Sequence, residues 1–382
     1  MVKLRDVCTI VSGSTPKTNI PAYWNGNIKW ITPAELNEDS FYLFDSQRHI
    51  TEIGKEKTGL SFMPTGTVIL SSRAPIGKTA IAGCELCCNQ GFKNLICSAA
   101  IFNEYLYYFL KSKTDYLNSL GRGATFKEIS KSIVENIEIR LPSLEEQKQV
   151  AKQFKHIYHL IFLRKQQLAK LDELIKARFV EMFGDVIQND RGWDQNTFSD
   201  IATSRLGKML DAKQQTGKYA YPYLANFNVQ WFRFEIDNLN KMDFNEADRQ
   251  EFELRDGDLL VCEGGEIGRC AVWHNEIQPC FFQKALHRVR CNRHVILPDY
   301  MAWWFKYNCD HKGFSEIEGA KATIAHLPGA KLKALKVTVP PIETQNQFAA
   351  FVEQTDKSKL AIQQSLDKLE LLKKALMQKY FG

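Results

Sequence analysis

Cys84, Cys87 and Cys88 lie within five residues, and thiols at such spacing are a first place to look for zinc. A structural zinc site needs four ligands, and the remaining cysteines (Cys8, Cys97, Cys262, Cys270, Cys280, Cys291, Cys309) include no second pair at two-residue spacing. Reduced, buried strand thiols account for them, and no metal is expected. Gly77-Lys78-Thr79 has the ending of a phosphate-binding loop, but Ser72 stands where that loop requires its first glycine. The following Ala80-Ile81-Ala82-Gly83 reads as a strand, so no helix N-terminus would receive a phosphate. Gly264-Gly265-Glu266-Ile267-Gly268 carries the glycines of a dinucleotide fingerprint at the wrong spacing and reads as a tight turn. His156 and His159 sit three apart on a helical stretch without a carboxylate to complete a metal set. No acid pair with a spaced lysine suggests a nuclease, and no Asp-Pro-Pro-Tyr or Asn-Pro-Pro-Phe string of an amino-methyltransferase occurs. With catalytic sites missing from all these searches, the expectation is a binding protein with no cofactor of its own.

Reading DNA sequence takes two kinds of contact: phosphate contacts that set register, and donors and acceptors aimed at base edges. The first half of the chain offers Ser14, Thr15 and Lys17 in one Gly-Ser-Thr-Pro loop, and Ser71, Ser72, Arg73 and Lys78 in another. Arg73 suits a guanine edge and Lys78 a phosphate. Gln90, Lys93, Thr125 and Lys127 complete that set. The second half offers Arg205, Lys208, Lys213, Tyr223, Asn226, Asn228, Arg269, Gln283, Lys284, Arg288 and Thr323. The densest basic run is Lys284, His287, Arg288, Arg290, Arg293 and His294, although strand alternation would send half of it to the opposite face. Tyr23, Trp24, Trp30, Tyr221, Tyr223 and Trp231 interleave these loops at a spacing that fits core strands better than stacking platforms.

The elements that hold these loops follow from an internal repeat. Pro142-Ser143-Leu144-Glu145-Glu146-Gln147 matches Pro340-Pro341-Ile342-Glu343-Thr344-Gln345 at a shift of 198, which also carries Leu168, Leu171, Phe183 and Gly184 onto Leu366, Leu369, Phe381 and Gly382. The same shift pairs Thr125 with Thr323, and slightly smaller offsets pair Ile76-Gly77 with Ile267-Gly268 and Gln90 with Gln283. The chain is therefore two copies of one unit, each a mixed segment followed by a long helix. Short strands such as Gly66–Ser72 and Gly257–Cys262, and one helix in each copy, over 103–117 and 298–308, make up the mixed segments.

The long helices are expected over Glu145–Phe183 and Glu343–Phe381, with near-heptad apolar stripes: Ile157, Ile161, Leu168, Leu171 and Ile175 on the first, Ile362, Leu366, Leu369, Leu376 and Tyr380 on the second. Stripes this narrow call for a partner helix, and a pseudo-two-fold axis between the copies makes the pair antiparallel. At 1.5 Å per residue each spans roughly 55 Å, about 16 base pairs of duplex. The fold expected is α+β: two mixed α/β domains, 1–141 and 186–339, separated by two long antiparallel coiled-coil helices, 142–185 and 340–382.

The 382 residues are 44% hydrophobic and 25% charged, which excludes disorder and collagen-like repeats. No apolar run is long enough for a membrane helix and the start lacks a signal-peptide pattern, so a cytoplasmic protein is expected. The net charge of +6, from 50 basic and 44 acidic residues, permits nucleic acid without requiring it.

Gly13-Ser14-Thr15-Pro16, Tyr23-Trp24-Asn25-Gly26-Asn27-Ile28-Lys29-Trp30-Ile31, Ser71-Ser72-Arg73-Ala74-Pro75-Ile76-Gly77, Asn89-Gln90-Gly91-Phe92-Lys93 and Pro142–Gln147 together resemble the DNA-specificity subunit of Type I restriction-modification systems. The likeness covers nearly the whole chain. It departs at the second copy's start, where Ser204-Arg205-Leu206-Gly207-Lys208 replaces the Gly-Ser-Thr-Pro string. The resemblance implies a non-catalytic subunit whose two recognition domains each read half of a split, asymmetric double-stranded DNA site. It implies helices that act as a ruler and dock two modification (methyltransferase) subunits, with motor-nuclease restriction subunits joining for cleavage. S-adenosylmethionine, ATP and magnesium would then sit on those partners, and no membrane is involved. A specificity protein of a modification-only or phage-defence system, and a coiled-coil scaffold that binds no DNA, remain the alternatives.

Overall fold

The computed structural model describes residues 1–73, 75–121, 127–211, 215–315 and 326–382. Contacts divide the chain into two units: residues 1–166 with 363–382, and residues 167–362. The division falls inside the long helices, so each unit holds the beginning of one and the end of the other.

The first unit is built on a five-stranded sheet in the order Cys8–Ser12, Phe92–Cys97, Val68–Ser71, Thr79–Ala82, Tyr42–Leu43, antiparallel except for the last pair. A three-stranded sheet, Arg48–Ile50, Trp24–Ile31, Cys87–Cys88, lies beside it. Val68–Ser71 is buried at all four positions, which is why it reads as an apolar run rather than an alternating one. The helix Asn103–Ser112 buries six consecutive residues, Tyr105 to Leu110. A second helix, Thr114–Leu120, follows after a break at Lys113, where the spacing predicts one continuous helix.

The second unit repeats this plan. Its four-stranded sheet runs Ala202–Leu206, Leu286–Cys291, Leu259–Cys262, Cys270–Val272, and its three-stranded sheet Asn240–Asp243, Ala220–Leu224, Phe281–Phe282. The helix Pro298–Asp310 takes the place of Asn103–Ser112. In both units a two-stranded ribbon brings the start of the mixed segment to its end: Val2–Lys3 with Glu138–Ile139, and Asp194–Thr197 with Lys336–Val339.

Two 40-residue helices, Leu144–Phe183 and Ile342–Phe381, follow those ribbons. Each is fastened at its first turns by a buried glutamine. Gln147 accepts from the Phe102 amide (2.8 Å) and donates to the carbonyls of Ala100 (3.1 Å) and Pro142 (2.9 Å). Gln345 repeats the set with Leu297, Val295 and Pro340 at 2.9, 3.0 and 2.7 Å.

Within each unit the two long helices run antiparallel. In the first, Tyr380 donates to Gln153 while Lys373 lies over the Tyr158 ring. In the second, Phe348 packs on Phe183 and Phe179, and Lys359 pairs with Asp172 at 2.7 Å. Of the stripe residues on the two helices that form this seam, Ile157, Ile161, Ile175 and Leu366 are buried, and Leu168, Leu171, Ile362, Leu369, Leu376 and Tyr380 are half-buried. Aromatic ends that heptad counting passes over complete it: Phe381 stacks on Phe154 and meets Tyr105 and Phe109, and Phe183 meets Tyr300. No helix among the described residues is long and apolar enough to cross a membrane.

Candidate nucleic-acid interface

One end of each main sheet gathers the loops that hold most of the candidate recognition residues. In the first unit five segments meet there. The Ser14 amide donates to the Cys88 carbonyl (3.0 Å), and the Thr15 hydroxyl donates to Gln90. The Asn89 amide donates to Ile31 (3.1 Å), just before the 3-10 turn Pro33–Glu35. Ser72 N–H reaches the Gly91 carbonyl (2.7 Å), and Ile129 N–H reaches Ser72 (2.9 Å). Gly13 is a steric necessity at this junction, since a Cβ there would overlap the carbonyl oxygen of Asn89.

The second unit rebuilds the same junction. Lys208 N–H donates to Phe282 (3.2 Å), Gln283 N–H to Leu224 (3.0 Å), Glu263 N–H to Ala285 (2.9 Å) and Leu327 N–H to Glu263 (2.6 Å). Gly207 stands where Gly13 does, and a Cβ there would overlap the Gln283 carbonyl oxygen. The second copy thus keeps the glycine of the Gly-Ser-Thr-Pro loop although the string around it is gone.

Several expected readers turn out to build the loops. Ser71 is buried, its hydroxyl donating to the Pro75 carbonyl (2.8 Å) and accepting from the Lys78 amide (2.9 Å). Ser72 is buried and accepts from Lys93 (3.3 Å). Lys78 sends its ammonium back to the carbonyls of Leu36 (2.6 Å) and Pro33 (3.5 Å), bracing the 3-10 turn. Arg269 does the same in the second unit, donating to the backbone and side-chain oxygens of Asn226 at 3.1 and 3.0 Å beside the turn Asn226–Asn228. Asn228 and Tyr223 are buried, and Asn228 ties Ala225 to Glu235.

Other candidates are drawn into ion pairs. Glu128 takes Arg73 Nε at 2.8 Å and the buried Lys93 at 3.3 Å. Burial alone would raise the Glu128 pKa, but the two cations outweigh it and hold the carboxyl below its usual value. Lys208 pairs with Asp248 (2.5 Å) and donates to the Asp243 carbonyl (2.7 Å), and Arg205 pairs with Glu251. The strand Leu286–Cys291 does not form a continuous basic patch. His287 is buried, Arg288 donates to the Glu251 carbonyl (2.6 Å), and Arg290 pairs with buried Asp258 (2.7 Å). Burial pushes the Arg288 pKa down to about 10. Lys17, Gln90, Lys127 and Lys284 are exposed, and Ser14, Thr15 and Gln283 half-exposed, at the rims. Thr125, Lys213 and Thr323 lie outside the described residues.

The equivalent positions of the two rims carry different chemistry. Isolated bridges join Arg73 to Glu128 in the first unit and Gly264 to His326 in the second. Lys93 faces Ser12 across its sheet as His287 faces Leu206. An arginine and glutamate on one rim thus become glycine and histidine on the other, and the buried lysine behind the first becomes a buried histidine behind the second. Sequence reasoning missed Glu128 and both 3-10 turns. The Thr32-Pro33-Ala34-Glu35 string does carry a readable capping signal, since Glu35 accepts from the Thr32 amide at 2.7 Å.

No group of three or more His, Cys, Asp or Glu side chains among the described residues is arranged to hold a metal ion. Burial raises the Cys87 and Cys88 thiols to about 11 and 12, which disfavours the thiolates that zinc requires.

Residues 1–173 and 190–372 match the family model for the Type I restriction modification DNA specificity domain. The chain is 37% identical over 223 residues to the Type I restriction enzyme MjaIX specificity subunit of Methanocaldococcus jannaschii, covering 54% of this chain and 52% of that one. It therefore spans about half the length of that curated relative. It is 21% identical over 304 residues to the EcoKI specificity subunit of Escherichia coli, covering 74% of this chain and 65% of that one. In fold it is similar over 100% of its length to the S subunit of a Type I restriction-modification system from M. genitalium (TM-score 0.59, 15% identity, 95% of that chain). A chain from a type I R-M system solved for its complex assembly and conformational transition is likewise similar (TM-score 0.62, 17% identity, 100% and 96% of the two chains).

Proposed function

Since the chain belongs to the Type I restriction-modification DNA specificity family, we propose that its two mixed segments, 1–141 and 186–339, are target-recognition domains, each reading one half of a bipartite, asymmetric double-stranded DNA site. A specificity subunit of this family is non-catalytic. In this reading the long helices set the spacing between the halves and dock two modification subunits. Those partners supply S-adenosylmethionine-dependent adenine methylation, and ATP-dependent restriction subunits add cleavage. The setting is the cytoplasm.

The observation that carries the reading is one loop framework built twice with different residues at its edge: Arg73 and Glu128 in the first unit, Gly264 and His326 in the second. A shared framework fixes how a duplex is approached, while differing side chains give each half its own base preference.

The test is co-expression with a Type I modification subunit from the same genome and genome-wide mapping of adenine methylation. A split motif of two unlike halves with a fixed spacer is expected, and exchanging residues 186–339 for those of a relative should alter one half alone. A well-folded complex that leaves no methylation would instead favour the scaffold role.

A further inference from the structure

The 3-10 turn Asn226–Asn228 is held from every side but one. Asn226 spends its side-chain amide on the Gly264 carbonyl (2.8 Å), and its side-chain oxygen accepts from Arg269 (3.0 Å). Asn228 is buried, accepting from Ala225 N–H (2.9 Å) and donating to the Glu235 carbonyl (2.8 Å). Gln230 closes the turn by donating to the Phe227 carbonyl (2.9 Å). What remains to face outward is the ring of Phe227, 56% exposed.

Phe227 keeps a large apolar ring in water on a braced turn, so a partner surface meeting this tip would bury apolar area that the unit itself leaves exposed. The first unit's turn, Pro33–Glu35, braced by Lys78 as this one is by Arg269, carries exposed Ala34 at the matching place. The scaffold is shared and the tip is where the copies differ. With both asparagines of the turn occupied, recognition from this tip is apolar. The thymine 5-methyl is the apolar group that a base edge presents in the major groove.

Resting on the specificity role proposed above, we infer that Phe227 is a specificity-determining residue of the second unit, packing against a thymine methyl in the half-site that unit reads. The test uses the full chain assembled with its modification subunits on the duplex defined by methylation mapping. Each thymine of both halves is replaced singly by uracil, which removes the methyl alone, and Kd is measured for the wild type, Phe227→Ala and Phe227→Gln.

One thymine in the second unit's half is expected to lose about fourfold in wild-type affinity on conversion, the worth of one buried carbon. Both variants should lose a similar factor on the thymine duplex and nothing further on the uracil duplex. Should Phe227→Ala not assemble, the wild-type scan with Phe227→Gln decides the matter. A half without thymine, a scan without effect there, or variants that keep full sensitivity to uracil would overturn the inference while leaving the specificity role standing. A wild-type complex that binds a duplex of unrelated sequence as tightly as the mapped one would remove both.

Discussion

Lys78 and Arg269 show how a side chain's type can suggest one role and its surroundings assign another. Both have the charge expected of a phosphate contact, yet both spend their donors on carbonyl oxygens of a neighbouring turn. Lys17 and Lys284 are exposed instead. In the assembled complex, Lys17→Ala or Lys284→Ala should reduce the slope of log affinity against log salt by about 0.9 for each phosphate that is no longer neutralised, whatever the sequence. Lys78→Ala should weaken binding through a loosened turn and leave that slope unchanged; fluorescence titrations over a salt series separate the cases. His287 sets a second residue-scale expectation. Burial, its largest influence, keeps its pKa below the ordinary histidine value, so the unfolded chain takes up a proton more readily than the folded one. Stability of the second unit is then full above the ordinary histidine range and falls as pH drops through about 6.5. Melting curves from pH 8 to 5.5 should show this fall in the wild type and a smaller one in His287→Gln.

At the scale of elements, the glutamines that fasten the long helices explain why the repeat is most legible where it is. The Pro142–Gln147 and Pro340–Gln345 strings match because each buried glutamine satisfies one amide and two carbonyls around the start of its helix. Gln147→Leu or Gln345→Leu should each cost about 1–3 kcal/mol in urea unfolding, because three hydrogen bonds made by a buried side chain are lost. The long helices and the all-apolar strands were readable from periodicity and run length. The break at Lys113 and the 3-10 turns were not, since tertiary packing decides a boundary that local propensity leaves open. Gly207 was unreadable as the partner of Gly13 for a related reason. Its identity is imposed by a carbonyl from a strand distant in sequence, not by its neighbours along the chain.

For the whole molecule, each long helix begins in one unit and ends in the other. Phe183, at the end of the helix fastened by Gln147, packs on Tyr300 and Phe348; Phe381, at the end of the helix fastened by Gln345, packs on Tyr105 and Phe154. Phe183→Ala should therefore loosen the second unit and Phe381→Ala the first, each by about 3–5 kcal/mol. Hydrogen exchange resolved by unit checks the crossover. The two-copy architecture, the long helices with their seam and the family resemblance could all be read from the chain alone, because they rest on periodicity and on residues repeated at a constant shift. Which polar side chains remain at the rims emerged solely from the folded arrangement. Whether a lysine or asparagine faces outward depends on which distant carbonyls and carboxylates the fold brings within hydrogen-bonding distance, and that is not written in residue type or local spacing.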